Sequence, residues 1–65
     1  MQIEVNGEPR DTSAATISEL IAELDLDARK VAVERNLEIV PRSLHDQTRL
    51  AQGDRIELVQ FVGGG

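Results

Sequence analysis

The sequence predicts an α+β domain in which one main helix packs across a mixed sheet of four to five strands. Three observations point there. Segments of two-residue period stand near both ends, one segment of helical period lies between them, and turn residues mark most junctions. A single amphipathic helix has one apolar stripe to bury, and a sheet face is the economical partner for it.

The first strand is Gln2-Ile3-Glu4-Val5, which alternates polar and apolar and so has one buried face. Asn6-Gly7 readily takes the left-handed conformations of a two-residue hairpin turn, placing a second strand at about Glu8 to Asp11. Pro9 lacks a ladder donor and confines that strand to an edge. Thr16-Ile17-Ser18-Glu19 has the form of a capping box, with Thr16 accepting from the Glu19 N–H and the Glu19 carboxylate reaching back to the Thr16 N–H. Ile17, Leu20, Ile21 and Leu24 then fall at i, i+3, i+4 and i+7, which predicts a helix from Ile17 to about Leu24 or Asp25. Asp27 to Lys30 form a polar connection.

Val31-Ala32-Val33-Glu34-Arg35 is rich in β-branched residues and reads as a strand bounded by Asn36. Glu38-Ile39-Val40 is a short strand stopped by Pro41, and Ser43 is placed to cap a turn through Leu44 and His45. Gln52-Gly53-Asp54 signals a turn before the longest strand candidate, residues 55–62. The first and last strands are expected to lie parallel at the sheet centre with the hairpins outside them. Residues 1–62 are assigned to the domain and residues 63–65 to a flexible glycine tail.

Composition narrows the function. A chain of 65 residues supports one small core worth a few kcal/mol of net stability. It contains no cysteine, which excludes disulfides, thiol catalysis and a cysteine-ligated metal; sulfur handled by this chain cannot sit on a side-chain thiol. The net charge is −5, and the basic residues Arg10, Arg29, Lys30, Arg35, Arg42, Arg49 and Arg55 are scattered, with Phe61 the only aromatic. That pattern argues against nucleic acid and for a partner protein with a basic docking face. No apolar run of membrane-spanning length occurs and none follows Met1, so no membrane role and a cytoplasmic location are expected.

Gly63-Gly64-Gly65 contributes nothing to a core and is costly to order. One reading is a frayed terminus. The other is functional: three extended residues reach about 10 Å and are thin enough to thread a narrow channel. The terminal carboxylate, with an ordinary pKa of about 3.5, is ionised at neutral pH and is an adequate nucleophile towards the α-phosphate of ATP. An acyl-adenylate so formed has a good leaving group, and a sulfur donor displacing AMP leaves a thiocarboxylate on Gly65.

The remaining candidates are weaker. Val59 and Phe61 are expected on the sheet face opposite Ile56 and Leu58, and with Val62 they form a candidate docking surface; the competing reading makes Phe61 a core residue. His45 has no partner that completes a triad, since Asp46 is merely its neighbour, and it reads as a surface loop residue. Glu19 and Glu23 stand one turn apart, but Glu19 has a capping role and Glu23 reads as solvated, so no metal site is assigned. Arg42 and Arg49 read as solvated. No catalytic residue is assigned: the chain has no credible acid–base pair and too little bulk to enclose a substrate.

Taken together, several segments resemble the ThiS family, the bacterial sulfur carriers of thiamine biosynthesis. They are Met1-Gln2-Ile3, Asn6, Thr16-Ile17-Ser18-Glu19-Leu20-Ile21, Val31-Ala32-Val33-Glu34-Arg35-Asn36, Ile39-Val40-Pro41-Arg42, Gly53-Asp54 with Ile56-Glu57-Leu58, and the Gly-Gly end. The resemblance covers essentially the whole chain. It implies a ubiquitin-like β-grasp fold and a carrier that is not itself an enzyme. It further implies adenylation of Gly65 by an activating adenylyltransferase that consumes ATP, sulfur supplied by a sulfur-donating enzyme, and delivery to a thiazole synthase. No cofactor is expected on the chain itself. Gly64 is then the required neighbour and Gly63 an extra glycine. Alternatives within the same shape are a molybdopterin-type carrier, a ubiquitin-like protein modifier, and a non-catalytic binding module.

Overall fold

The computed structural model describes residues 1–61. Five strands and one α-helix form two layers: β1 (Gln2–Val5), β2 (Glu8–Asp11), α1 (Ile17–Glu23), β3 (Val31–Arg35), β4 (Glu38–Val40) and β5 (Arg55–Gln60). Single-turn 3-10 helices at Ala28–Lys30 and Arg42–Leu44 join them. The sheet order is β2-β1-β5-β3-β4. β1 and β5 are parallel at the centre, with Val5 beside Ile56, and both hairpins are antiparallel and outermost, as the sequence suggests.

Local chemistry accounts for each element. Asn6 (φ 50°) and Gly7 (φ 84°) make the two-residue turn between β1 and β2, and Pro9 sits on the edge strand. Thr16 caps α1, its Oγ1 accepting from the Glu19 N–H at 3.2 Å. The reciprocal half of the capping box differs from expectation. Glu19 Oε1 accepts from the Ala15 N–H at 3.0 Å rather than from Thr16, because residues 15–17 run in an extended bridge against residues 48–50. The helix stops at Glu23 with Asp25 in the left-handed region (φ 59°), the Leu26 N–H bonding to the Ile21 carbonyl and the Asp25 N–H to that of Ala22. That pair of bonds closes the helix end, and Leu26 packs back on the core.

The core holds Ile3, Ala14, Ile17, Leu20, Ile21, Val31, Val33, Leu50 and Ile56, with Leu24 packed at its margin. Ile17, Leu20 and Ile56 are fully buried. Burial of such side chains contributes about 1.5–3 kcal/mol each, so truncating Leu20 to alanine costs about 2–5 kcal/mol in a domain with little to spare.

Three local expectations need correction. The turn after β4 begins at Pro41, whose carbonyl accepts from the Leu44 N–H at 2.9 Å; Ser43 lies inside it and does not cap it. The reason is that Pro41 (φ −59°) presets the turn geometry one step earlier. β5 ends at Gln60; Phe61 adds one more ladder bond, to the Lys30 carbonyl at 2.8 Å, and Val62, Gly63, Gly64 and Gly65 lie outside the described residues. His45 is 3% exposed, not a surface residue, because the 3-10 turn tucks it beneath β4, with Nε2 at 3.2 Å from the Val40 carbonyl.

The β3–β4 turn carries strain. Asn36 (φ 52°) and Leu37 (φ 71°) both lie in the left-handed region, and Leu37 is 75% exposed. A branched residue there costs about 1–2 kcal/mol with little burial to offset it. Leu37→Gly is expected to stabilise the domain by about 0.5–1 kcal/mol after the added freedom of glycine in the unfolded chain is subtracted. A urea-unfolding midpoint that stays put or falls would show that Leu37 is held by packing its exposure does not reveal.

Candidate functional site

β5 leads the chain toward the tail. Its residues alternate: Ile56 is buried and Leu58 half-buried against the helix side, whereas Glu57 and Val59 point outward. Val59 is 59% and Phe61 56% exposed, which places both on the far face and excludes Phe61 from the core. The pairing register adds residues the sequence did not single out. Ala32 lies directly across from Val59, and Ile39, 79% exposed, lies across from Glu34 on the same outer face. Ala32, Ile39, Val59 and Phe61 therefore form an exposed apolar cluster where the chain leaves the sheet. A groove of about 280 Å³ opens beside it, lined among others by Pro41, Arg42 and His45. Only the two-residue Asn36-Leu37 turn, which sets Glu34 across from Ile39, carried a sequence signal for this register.

Three polar clamps hold β5 and the helix in place. Asp54, 5% exposed, accepts from Arg35 Nε at 2.7 Å, the Ala51 N–H at 2.8 Å and Asn36 Nδ2 at 3.1 Å. Burial alone would raise its carboxyl; the Arg35, Ala51 and Asn36 contacts outweigh that and hold it below the usual range. Glu23 is exposed, as expected of a solvated helix face, and there it accepts from Thr12 Oγ1 at 2.8 Å and Arg10 Nε at 2.9 Å, tying α1 to the end of β2. The Thr12 hydroxyl, then Arg10, lower its pKa. At the helix start, Ser18 Oγ donates to Asp46. Asp27, capping the turn into β3, is lowered to about 2 by its Arg29 side-chain and backbone donors.

Other candidates stay apart. His45 Nδ1 is buried without a hydrogen-bond partner among the described residues. Glu19 and Glu23 bond to different partners, and among the described residues no three His, Asp or Glu side chains converge as a metal site. Arg42 and Arg49 are exposed. Among the described residues no helix is long and apolar enough to cross a membrane.

A single helix over a mixed sheet with parallel central strands, whose central last strand precedes a glycine tail in the sequence, defines a ubiquitin-like β-grasp domain. Residues 3–65 match the model of the ThiS family. The chain is 39% identical to the sulfur carrier protein ThiS of Bacillus subtilis, over 97% of this chain and 98% of that protein. It matches the crystal structure of the thiamine biosynthesis protein ThiS from Geobacter metallireducens with a TM-score of 0.83 and 36% identity, covering both chains fully. The chain belongs to the ThiS family. It is also 53% identical to a segment of a thiazole synthase of Paramagnetospirillum magneticum; the chain spans about a fifth of the length of the thiazole synthases that it matches.

The Asp54 clamp has a pH signature. Its lowered carboxyl means that folding favours the ionised form, so its contribution is complete above the unfolded value of about 3.9 and is lost as pH falls through the lower folded value. Asp54→Asn is expected to cost about 1–3 kcal/mol at neutral pH, and the gap to the wild type is expected to narrow on acidification below about pH 4. Urea unfolding across that range checks it; a gap constant with pH means the carboxylate charge plays no part.

Proposed function

We propose that this chain is a sulfur carrier protein of thiamine biosynthesis, working in the cytoplasm through the α-carboxylate of Gly65. The single observation that carries the reading is the family match, which runs through Gly64 and Gly65 and agrees over nearly full length with a named sulfur carrier. The chain binds no cofactor in this reading; ATP is consumed by an activating adenylyltransferase. A carboxylate oxygen of Gly65 attacks the α-phosphorus of ATP, pyrophosphate departs, and an acyl-adenylate remains. Sulfide-level sulfur (HS⁻) supplied by a sulfur-donating enzyme then attacks the acyl carbon, AMP leaves with the former carboxylate oxygen, the sulfur's proton is released, and a thiocarboxylate stands on Gly65. No Cβ on residues 63–65 impedes entry of the tail into the partner's active site.

The folded part of the chain has a different task. Residues 1–62 present the tail, and Val59, Phe61 and Val62 make the docking surface beside it. Exposed Val59 and Phe61 at the exit of β5 support that role, since an apolar cluster left in water gains by burial against a partner. A thiazole synthase is the proposed recipient of the sulfur. Support comes from the relatives named thiazole synthase, which carry a segment like this chain within a longer polypeptide.

Intact-mass spectrometry after incubation with ATP, an activating adenylyltransferase and a sulfur source tests the reading. One oxygen replaced by sulfur, mapped to the terminal peptide, is the expected product; an isopeptide on Gly65, or no change, overturns it. Deleting Gly64 and Gly65 is expected to abolish the product while leaving the unfolding midpoint unchanged. Phe61→Asp is expected to keep the fold, with stability altered by no more than about 0.5 kcal/mol, and to lower the rate at limiting carrier concentration. Loss of cooperative unfolding in Phe61→Asp would return Phe61 to the core.

A further inference from the structure

We infer that the groove beside Phe61 is a binding site for the chain's own end. Residues 63–65 lie across it in the isolated chain, and the Gly65 carboxylate is held by Arg42 and Arg29. This goes beyond the carrier reading and does not rest on it.

The groove, about 280 Å³, is lined by apolar Ala32, Ile39, Pro41 and Phe61 and by two cations, Arg29 and Arg42. Arg42 Nη1 donates to the Arg29 carbonyl at 3.4 Å, which holds these two residues side by side. Arg29 pairs with Asp27, whereas Arg42 engages no carboxylate among the described residues. Charge on this face is graded. Glu34 lies across from Glu57, and both are exposed; two residues along each strand comes the Ala32–Val59 pair, and beyond it the groove with its arginines. An anion on this face is therefore repelled at the Glu34–Glu57 end and attracted at the Arg29–Arg42 end. The volume falls just below the range of about 300–1,000 Å³ usual for small-molecule pockets, and a backbone without side chains suits so narrow a bed.

The chain's own end is the occupant nearest at hand. The Phe61 N–H is bonded to the Lys30 carbonyl at 2.8 Å, so residue 62 begins beside the groove that Phe61 lines, next to Arg29. Residues 62–65 then have an extended reach of about 13 Å. The last of them carries a carboxylate with an ordinary pKa of about 3.5, ionised at neutral pH. Glycine at 63, 64 and 65 allows the left-handed backbone angles that a close fit to a groove requires. Guanidinium groups are suited to a carboxylate, since each offers several donors at once. Tethering supplies the rest: a short flexible link presents the anion at an effective concentration in the millimolar range. A second copy lacks that advantage and brings its own net charge of −5 against the same charge. An exposed ion pair is weak, so the docked end exchanges with a released one, and only the released fraction is open to an activating partner.

Solution NMR of the full chain tests this, with Arg42→Gln, the Arg29→Gln/Arg42→Gln double variant, and Arg49→Gln as a control cation outside the groove. In the wild type, nuclear Overhauser contacts are expected from the glycine protons of residues 63–65 to the Ala32 and Ile39 methyl groups. The Gly65 carboxyl is expected to titrate at least about 0.5 pH units lower in the wild type than in the double variant, because an adjacent guanidinium favours the ionised form. Arg49→Gln is expected to match the wild type, and 1 M salt, where the Debye length is about 3 Å, is expected to weaken the contacts. Arg42→Gln alone keeps the Asp27–Arg29 pair, so it decides the matter if the double variant unfolds. Absent contacts, together with the same Gly65 titration in wild type and Arg42→Gln, overturn the docked end. Contacts that grow with protein concentration assign the groove to a second copy, and groove shifts that need an added partner protein assign it to that partner; either overturns the proposal. No enzyme, ATP or sulfur enters the measurement, so its failure leaves the mass-spectrometric test of the carrier reading untouched.

Discussion

Parallel pairing of β1 with β5 is the constraint on which the rest of the domain depends. The Glu4 N–H bonds to the Asp54 carbonyl and the Asn6 N–H to the Ile56 carbonyl, both at 2.9 Å, and these bonds set which residues of β5 face the helix. Because the side-chain period of a strand is two, a slip of one residue would move Ile56, fully buried here, to water and carry Glu57 into the core. Such a slip would also turn Val59 inward and remove it from the surface beside the tail. The register therefore specifies the core and the exposed apolar face in one step.

Two asparagines extend that register where the backbone of the hairpins runs out. Asn6 and Asn36 each open a two-residue turn in the left-handed region, and each turns its side-chain oxygen onto β5. Asn6 Oδ1 accepts from the Leu58 N–H at 2.7 Å, and Asn36 Oδ1 from the Arg55 N–H at 2.9 Å. The hairpins thus grip the central strand from both sides with the same residue type, which tolerates left-handed φ and carries an acceptor at short reach. Asp54 reinforces the second grip through Asn36 and Arg35. In a domain with so few fully buried side chains, such local clamps do much of the work of fixing one register over another.

The fold was legible in the sequence because its signals are local. Alternation in residues 2–5, the Asn6-Gly7 turn, the Thr16 cap and the Ile17–Leu20–Ile21 stripe each specify an element without reference to the rest. What escaped depends on tertiary placement. His45 reads as a loop residue until the turn after Pro41 folds it under β4. Glu23 reads as solvated and is exposed, but its bonds to Arg10 and Thr12 depend on where β2 lies. The acidic pair and Ile39 on the outer face emerge only once β3 is paired on both edges, since residues 34, 39 and 57 are separated along the chain and meet through the register alone. Of the candidate site, Val59 and Phe61 were legible from simple alternation, while Val62 and Gly63 to Gly65 lie outside the described residues.

A β-grasp sheet has two faces and this chain covers only one, which decides how stability and recognition divide the residues. Ile3, Val33 and Ile56 on the covered face have one duty, and their burial is complete or nearly so. On the open face, Ile39, Val59 and Phe61 are exposed and Glu34 and Glu57 repel, so none of these contributes to the fold in proportion to its size. Residues that are unfavourable for the isolated domain yet arranged in one patch, beside the exit of the chain, fit selection for contact with another protein better than selection for folding. The polar clamps divide less sharply: Thr12, Glu23 and Asp54 meet their partners within the domain, and on the open face Glu4 pairs with Arg55.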